Sequence, residues 1–153
     1  MLDMDRNEDR LKMQFFELEG ENTLEEIEEK SRAFVKLITY YKCAIMEVET
    51  KFNVLNQEYS HDFARNPINN IQSRIKRPQS IKEKMERNDF PRNIESIEEN
   101  LNDIAGVRVI CAFPEDVYTL AEAFLKQDDI TLITKKDYIA NPKKNGYRSL
   151  HLI

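Results

Sequence analysis

A stripe of apolar side chains constrains the fold of this chain more than any other feature of its sequence. Between residues 24 and 59, apolar residues and one serine recur at alternating steps of three and four, as Leu24, Ile27, Ser31, Phe34, Ile38, Tyr41, Ile45, Val48, Phe52, Leu55 and Tyr59. This spacing places all of them on one face of an α-helix, which turns once in about 3.6 residues. The segment "TLEE" at its start has the pattern of a capping box, with Thr23 as N-cap and Glu26 bonding back to it. The sequence therefore predicts one long helix over residues 23–62.

Two interpretations of this helix stay open. It packs along its own domain, or its heptad-like spacing pairs it with another subunit, and the two are compatible. Residues 1–22, which precede it, are polar and charged, and we expect them to form an N-terminal extension.

The remaining residues, 63–153, alternate between strand and helix patterns. They predict an α+β domain in which a mixed β-sheet is flanked by helices. In chain order we expect a strand in "NPINNIQSRIKRP", a helix that opens at Pro78, a short helix over 94–101, a buried strand in "IAGVRVICAF", a helix in "PEDVYTLAEAFLKQ", a strand in "ITLIT", a loop in "KDYIANPKKNG" and a final strand in "YRSLHLI".

Composition narrows the class of protein. A length of 153 residues favours a single domain, and we expect neither a secretory signal nor a membrane span, because the first ten residues are acidic and polar and no apolar run is long enough. Only Cys43 and Cys111 are present, which is typical of a cytoplasmic protein with reduced thiols. Two cysteines and two histidines, scattered along the chain, do not make a structural zinc site.

The net charge of −5 conceals two basic clusters. Residues 1–64 carry 8 Lys and Arg against 15 Asp and Glu, whereas residues 65–153 carry 15 against 13. Within the second part, residues 74–87 hold six cations and two acids, and residues 135–148 hold five cations and one acid. Local clusters on an acidic protein favour a small polyanion such as a nucleotide over duplex nucleic acid, which usually requires a basic domain.

The chain has only three glycines, which excludes the glycine-rich loops that cradle phosphates. Phosphates would have to be bound by side chains, and Lys and Arg are suited to that. Arg74 and Lys76 are two residues apart and share one face of the predicted strand, with Lys84 on the next helix. A plain solvated charge run is the alternative for this cluster.

Asp103 lies at the start of the predicted buried strand, where a carboxylate commonly anchors Mg²⁺ for a triphosphate. A turn-forming or helix-capping aspartate is the alternative. Farther on, Asn145 and Gly146 indicate a turn that would leave Tyr147 at the first strand position, with its ring free to stack on a base and His151 on the same face. A core tyrosine and a surface histidine would fit this spacing equally well.

Together, "RIKRPQSIKEKM", "NDIAGVRVICAF" and "KDYIANPKKNGYRSLHL", with the helix between the last two, resemble the synthetase domain of the RelA/SpoT family over roughly residues 70–153. The length resembles the small alarmone synthetase branch. The resemblance implies a nucleotidyltransferase-like sheet and a cytoplasmic enzyme. Such an enzyme transfers the β,γ-pyrophosphate of ATP to the 3′-hydroxyl of GTP or GDP, which gives the stringent-response alarmones pppGpp or ppGpp and releases AMP. It also implies Mg²⁺ as cofactor and a homotetramer in which the long helix makes a subunit contact. Single-stranded RNA stays open as a further partner.

The resemblance also implies roles for individual residues. Binding of ATP would involve Arg74, Lys76, Lys84, Arg108 and Lys136. Binding of GTP or GDP would involve Lys143, Asn145, Tyr147 and His151. The two arginines would sandwich the adenine, the lysines would neutralise phosphates, and Tyr147 would stack on guanine. Asp103 would bind Mg²⁺ and, with Lys84, carry the catalysis.

Two departures from the family pattern bear on these expectations. Long members carry an arginine three residues before Asp137, where this chain has Thr134, so the role passes to Arg108. The family also completes its site with a glutamate on a following strand, in a pattern like E-I-Q-I-R, and no acidic residue follows Asp137 here. We therefore expect a synthetase domain that is truncated at its C-terminus. The alternative is a catalytically silent nucleotide- or RNA-binding regulator on the same domain.

Overall fold

The computed structural model describes residues 24–63 and 65–153, with α1 spanning Leu24–Phe63. The predicted long helix is confirmed, and its apolar stripe is the buried face, with the core positions Phe34, Leu37, Ile45, Phe52 and Leu55. Thr23 of the capping box and the predicted extension over residues 1–22 lie outside the described residues. The division into residues 23–62 and 63–153 stays a prediction.

Contacts divide the chain into two compact units. Among the described residues, the first comprises 24–45 together with Arg74–Gly106, and the second comprises Met46–Ser73 together with Val107–Ile153. Helix α1 contributes residues to both units, so one continuous element carries part of each hydrophobic core.

The first unit is helical. Helix α2 covers Pro78–Arg87 and begins, as predicted, with the proline whose fixed φ suits a first turn. Helix α3 covers Ile94–Asn100, and the side chain of Asn93 caps it by accepting a hydrogen bond from the backbone N–H of Ser96 at 2.8 Å. Apolar side chains from α1, α2, α3 and the segment after α3 form its core, namely Phe34, Leu37, Ile81, Met85, Ile97, Leu101 and Ile104.

The second unit contains helix α4, Pro114–Leu125, which contributes side chains to a separate apolar cluster. The cluster consists of Phe52, Leu55, Ile68, Leu120 and Phe124. The rings of Phe52 and Phe124 stack with their centroids 4.6 Å apart, which ties α4 to α1 in this unit. The helix predicted in "PEDVYTLAEAFLKQ" is thereby confirmed.

The α+β class is confirmed, and the described strands form two two-stranded sheets. Strand β1, Ile68–Ile75, pairs with β2, Ala105–Cys111. Strand β3, Lys135–Asp137, pairs antiparallel with β4, Leu150–Leu152, so that Lys136 lies opposite His151. Of the helices in the described part of the chain, none is long and apolar enough to cross a bilayer.

Three strand predictions need correction. The "ITLIT" strand is wrong, because β3 begins only at Lys135 and residues 131–133 are exposed; Ile133 and Thr134 are hydrogen-bonded to Ile153, just beyond β4. The final strand is shorter than predicted and starts at Leu150, not at Tyr147. Strand β2 is only half-buried, since Arg108 and Ile110 point to solvent.

Candidate functional site

A lysine pair and one aspartate converge in the first unit. The Nζ atom of Lys76 donates to Oδ2 of Asp103, and the Nζ atom of Lys84 donates to Oδ1, each at 2.7 Å. The carboxylate is thus bound on both oxygens. Three residues that are far apart in sequence form this cluster, which we call the lysine–aspartate cluster.

Local folding explains the convergence. Lys76 follows the last residue of β1, and its backbone N–H donates to the carbonyl of Ile104 at 2.7 Å, which fixes it beside the segment that carries Asp103. Lys84 lies on α2, which is anchored in the core by the fully buried Ile81 and Met85. The position of each cation is therefore set by backbone pairing or core packing.

The electrostatics of the cluster favour an ionised aspartate. Burial opposes the charged form of Asp103, but the hydrogen bonds and positive charges of Lys76 and Lys84 together outweigh it, so its pKa lies below the usual value. About half of the Asp103 side chain is still exposed (47%), which leaves the carboxylate reachable by a ligand.

Arg74 lies next to this cluster in the chain, and its side chain covers Gly106. A Cβ atom at Gly106 would come within 3.9 Å of the Cγ and Nε atoms of Arg74. That is an ordinary van der Waals distance, so the side chain of Arg74 packs against β2 at Gly106, within the first unit.

Asp103 is suited to Mg²⁺ only in combination with a nucleotide. In residues 24–63 and 65–153 there is no group of three or more His, Cys, Asp or Glu side chains that could hold a metal ion. Mg²⁺ is commonly bound by one or two carboxylates, with the remaining positions filled by water and substrate phosphates. A single exposed carboxylate flanked by lysines fits that arrangement.

A second cluster lies in the second unit and combines aromatic rings with a lysine. The Nζ atom of Lys143 is 4.5 Å from the ring centroid of Tyr138 and 5.2 Å from that of Tyr147. The hydroxyl of Tyr147 and Nε2 of His151 are hydrogen-bonded at 2.8 Å. We call these four residues the aromatic–lysine cluster.

A tight turn presents two members of this cluster. The N–H of Gly146 donates to the carbonyl of Lys143 at 2.8 Å, and the N–H of Lys143 donates to the carbonyl of Tyr147 at 3.1 Å. The side chain of Asn145 accepts a hydrogen bond from the N–H of Tyr147 at 3.2 Å. Gly146 has φ +80°, a conformation in which glycine is strongly favoured.

His151 is held in its neutral form. Burial lowers its pKa, and the positive charges of Lys143, Lys136 and Arg108 lower it further. Lys136 is its cross-strand partner on β3. Arg108 and Lys136 therefore belong to the electrostatic environment of the aromatic–lysine cluster.

The ten predicted site residues thus fall into two groups. The first unit holds Arg74, Lys76, Lys84 and Asp103, and the second holds Arg108, Lys136, Lys143, Asn145, Tyr147 and His151. The prediction that Tyr147 begins a strand is wrong, because it lies three residues before β4; it reaches His151 across the turn instead.

Tyr138 is a member of the aromatic–lysine cluster that the sequence analysis did not identify. It directly follows β3, in the segment predicted as a loop. An aromatic residue five positions before a lysine, at the start of a cationic loop, is the signal that could have identified it.

The α+β fold and these two clusters define a protein with convergent lysines, an available carboxylate and aromatic rings grouped around a lysine. Comparison with known proteins extends this description. The family model described as "Region found in RelA / SpoT proteins" matches residues 73–153. The chain belongs to the RelA/SpoT family.

Individual relatives place it beside the small alarmone synthetases. It is 42% identical to GTP pyrophosphokinase YwaC of Bacillus subtilis over 113 residues, which cover 74% of this chain and 54% of that protein. The crystal structure of small alarmone synthetase 2 from B. subtilis matches with a TM-score of 0.67 and 38% identity, over 78% of this chain and 60% of that one.

A ligand-bound structure is also similar. Small alarmone synthetase 1 from B. subtilis, bound to its product pppGpp, matches with a TM-score of 0.69 and 32% identity, over 79% of this chain and 62% of that one. The chain spans about half the length of GTP pyrophosphokinases YwaC and YjbM of B. subtilis.

Proposed function

We propose that this chain carries out the synthesis of (p)ppGpp by transferring the β,γ-pyrophosphate of ATP to the 3′-hydroxyl of GTP or GDP. In this reaction the 3′-oxygen forms a bond to the β-phosphorus and the bond from the β-phosphorus to the α,β-bridging oxygen breaks. That oxygen leaves with AMP, and the hydroxyl proton passes to a base. The proposal is supported by the family and by the names of the relatives.

The observation that carries the proposal is the convergence of Lys76 and Lys84 on Asp103. Pyrophosphoryl transfer requires alignment and charge neutralisation more than covalent catalysis. Two ammonium groups at 2.7 Å from a carboxylate can exchange that anion for ATP phosphates, which frees the carboxylate. Mg²⁺, when bound by Asp103, would neutralise charge on the phosphates.

The aromatic–lysine cluster supports the assignment of the acceptor nucleotide. The ring of Tyr147 is exposed enough to stack on a base (37%), and the ammonium of Lys143 lies over its face. Arg74, Arg108 and Lys136 complete the proposed ATP contacts, and Asn145 and His151 the proposed guanine contacts.

The test is incubation of the protein with ATP, GDP and Mg²⁺, with AMP and ppGpp as the measured products. Asp103→Asn should abolish both products. Asp129→Asn is the matched control, because Asp129 is also an exposed carboxylate paired with a lysine, Lys51, at 2.9 Å. Product formation by Asp103→Asn at the wild-type rate would contradict the proposal.

A second candidate function is nucleotide or RNA binding without turnover. It is favoured because residues 24–63 and 65–153 hold no group of three or more His, Cys, Asp or Glu side chains that could bind a metal ion. The same incubation separates the candidates, since binding of ATP and GDP without release of AMP would support the silent regulator.

We extend the proposal to assembly as a homotetramer in the cytoplasm, with α1 as a subunit contact. The support is a set of exposed apolar side chains on α1, namely Val35, Tyr40, Met46 and Val54. Cys43 and Cys111 are free thiols, which suits a reducing compartment. Light scattering that finds a monomer at micromolar concentration would contradict this assembly.

A further inference from the structure

The ring of Tyr138 makes contacts for which the proposed function has no role. Its centroid is 5.3 Å from that of His151, with the ring planes at 88°, and 6.2 Å from that of Tyr147, with the planes at 64°. Both are edge-to-face geometries that aromatic rings prefer. The ammonium of Lys143 lies over the same ring at 4.5 Å. Tyr138 thus contacts the other three members of the aromatic–lysine cluster.

The backbone on either side of Tyr138 is fixed by hydrogen bonds. The Oδ1 atom of Asp137 accepts from the N–H groups of Ile139 and Ala140, each at 2.9 Å. The hydroxyl of Tyr118, on α4, donates to the same carboxylate at 3.0 Å. The N–H of Tyr138 itself donates to the carbonyl of Ser149 at 2.9 Å. The backbone that carries this ring is therefore held by hydrogen bonds to α4 and to the segment before β4.

Lys143 and Tyr147 approach this ring from the tight turn. The turn is closed by hydrogen bonds between its own residues, from Gly146 to Lys143 and from Lys143 to Tyr147. The contacts of Lys143 and Tyr147 with Tyr138 connect this turn to the fixed end of β3.

We propose that Tyr138 is a positioning residue for the guanine-nucleotide side of the site, an inference that rests on the proposed function. Its ring holds the ammonium of Lys143 and the rings of Tyr147 and His151 as one preorganised unit. A cation and a stacking ring that are already held in place lose less conformational freedom when the ligand binds. Tyr138 acts through these neighbours and is assigned no contact with the reacting atoms.

The first test uses the ligand-free protein and follows the pKa of His151 by NMR, with its signal assigned by its loss in His151→Asn. Burial and the charges of Lys143, Lys136 and Arg108 keep this pKa below its ordinary value of 6.5. Tyr138→Leu should raise the pKa of His151 toward 6.5, because the histidine becomes less buried and Lys143 is released. Tyr138→Phe retains the ring and should retain the low pKa.

Two further variants serve as checks. Lys143→Met removes the charge without altering the ring and should also raise the pKa of His151. Phe113→Leu is the matched control, since Phe113 is another aromatic residue beneath a cation, with the guanidinium of Arg65 4.9 Å from its ring centroid. It should leave the pKa of His151 unchanged.

The second test measures the affinity for GDP and for ATP. Tyr138→Leu should weaken GDP binding about fivefold, on the scale of a lost cation–π contact, and should leave ATP binding within about twofold. Tyr138→Phe should bind GDP as the wild type does. The thermal unfolding midpoint of each variant is measured as well, to show that the variant is folded when its affinity is determined.

The outcomes separate this proposal from the proposed function. If the wild type binds GDP but Tyr138→Leu changes neither GDP affinity nor the pKa of His151, the positioning role is overturned and the proposed function stands. If the wild type binds no guanine nucleotide, the proposed function fails and the assignment of Tyr138 to a guanine site is overturned with it. A raised pKa together with weakened GDP binding supports both.

Discussion

Asp103 shows how far a single residue can be interpreted from sequence. Its position before an apolar strand suggested a metal anchor or a turn aspartate, and spacing could not choose between them. The structure adds the two lysines that meet its oxygens, from positions 27 and 19 residues earlier in the chain. No periodicity rule links such distant positions, so this geometry arises only from the packing of α2 and the pairing at Lys76.

The ionisation of Asp103 predicts how stability depends on pH. Because its pKa is lowered in the folded protein, its contribution to stability is fully present above the unfolded value of about 3.9 and is lost as pH falls through the folded pKa. Asp103→Asn should therefore unfold at a lower temperature than the wild type at pH 7, and this difference should shrink as the pH falls below about 3.9. Thermal unfolding measured across that range checks it.

A substitution at Lys84, which pairs with Asp103, tests the same dependence of stability on pH. Lys84→Met removes one of the two charges that lower the pKa of Asp103, so it should shift the acid-induced loss of stability to higher pH. An unfolding difference between wild type and Asp103→Asn that is the same at pH 7 and pH 3 would contradict this account.

The aromatic ring of Tyr147 gives a second prediction at the residue scale. Tyr147→Ala should weaken guanine-nucleotide binding by about 1–3 kcal/mol, the value of a base stack, and should affect ATP much less. Fluorescence titration with each nucleotide measures the two affinities. Phe113→Ala serves as the control, and equal losses for both nucleotides in Tyr147→Ala would argue against stacking.

At the scale of the element, sequence predicts helices better than strands. The boundaries of α1, α2, α3 and α4 follow from apolar spacing and, for α2 and α4, from a proline in the first turn, which are local signals. Strand β3 is determined by its partner, and the β-rich run "ITLIT" remains unpaired up to residue 132 because the ladder with β4 starts farther along the chain. Tyr138 escaped identification for the same reason, since its cluster forms across that ladder.

The buried face of α1 can be tested with two adjacent residues. Phe34 is fully buried, whereas its neighbour Val35 is 39% exposed. Phe34→Ala should lower the free energy of unfolding by about 3–5 kcal/mol, because it removes a large core side chain and leaves a cavity. Val35→Ala should change it by about 0.5 kcal/mol or less. Urea unfolding measures both, and similar losses would contradict the assigned faces.

The turn at Gly146 gives a prediction in which backbone conformation dominates. A Cβ atom there meets nothing within 4 Å, so Gly146→Ala introduces no collision, but φ +80° becomes unfavourable by about 1 kcal/mol. We expect GDP binding to weaken about fivefold and ATP binding to be unaffected. Gly106→Ala, the same substitution at a position with ordinary contacts, should leave GDP binding unchanged.

For the whole molecule, the charge distribution matters more than the net charge. An overall charge of −5 opposes the approach of a nucleotide, so binding depends on the cations of the two clusters. The sequence predicted this separation of charge and the residue types involved. It could not predict that Lys76 and Lys84 neutralise Asp103 while the nucleotides are absent, since that requires a folded chain.

This neutralisation predicts coupling between Mg²⁺ and ATP. Mg²⁺ alone should stabilise the protein very little in thermal unfolding, because it must displace a lysine from Asp103. Mg²⁺ with ATP should raise the midpoint by more than the two separate shifts combined, and by linkage each should tighten the binding of the other. Asp103→Asn should remove this excess, and an excess that persisted in the variant would locate the coupling elsewhere.

In the ligand-free protein, Asp103 therefore forms an ion pair with each of Lys76 and Lys84. In the proposed function, binding of ATP would be an ion exchange, in which the ammonium groups of Lys76 and Lys84 transfer from a carboxylate to a polyphosphate. An aspartate without a partner would repel the incoming anion, whereas Asp103 with its two lysines forms a cluster of net positive charge.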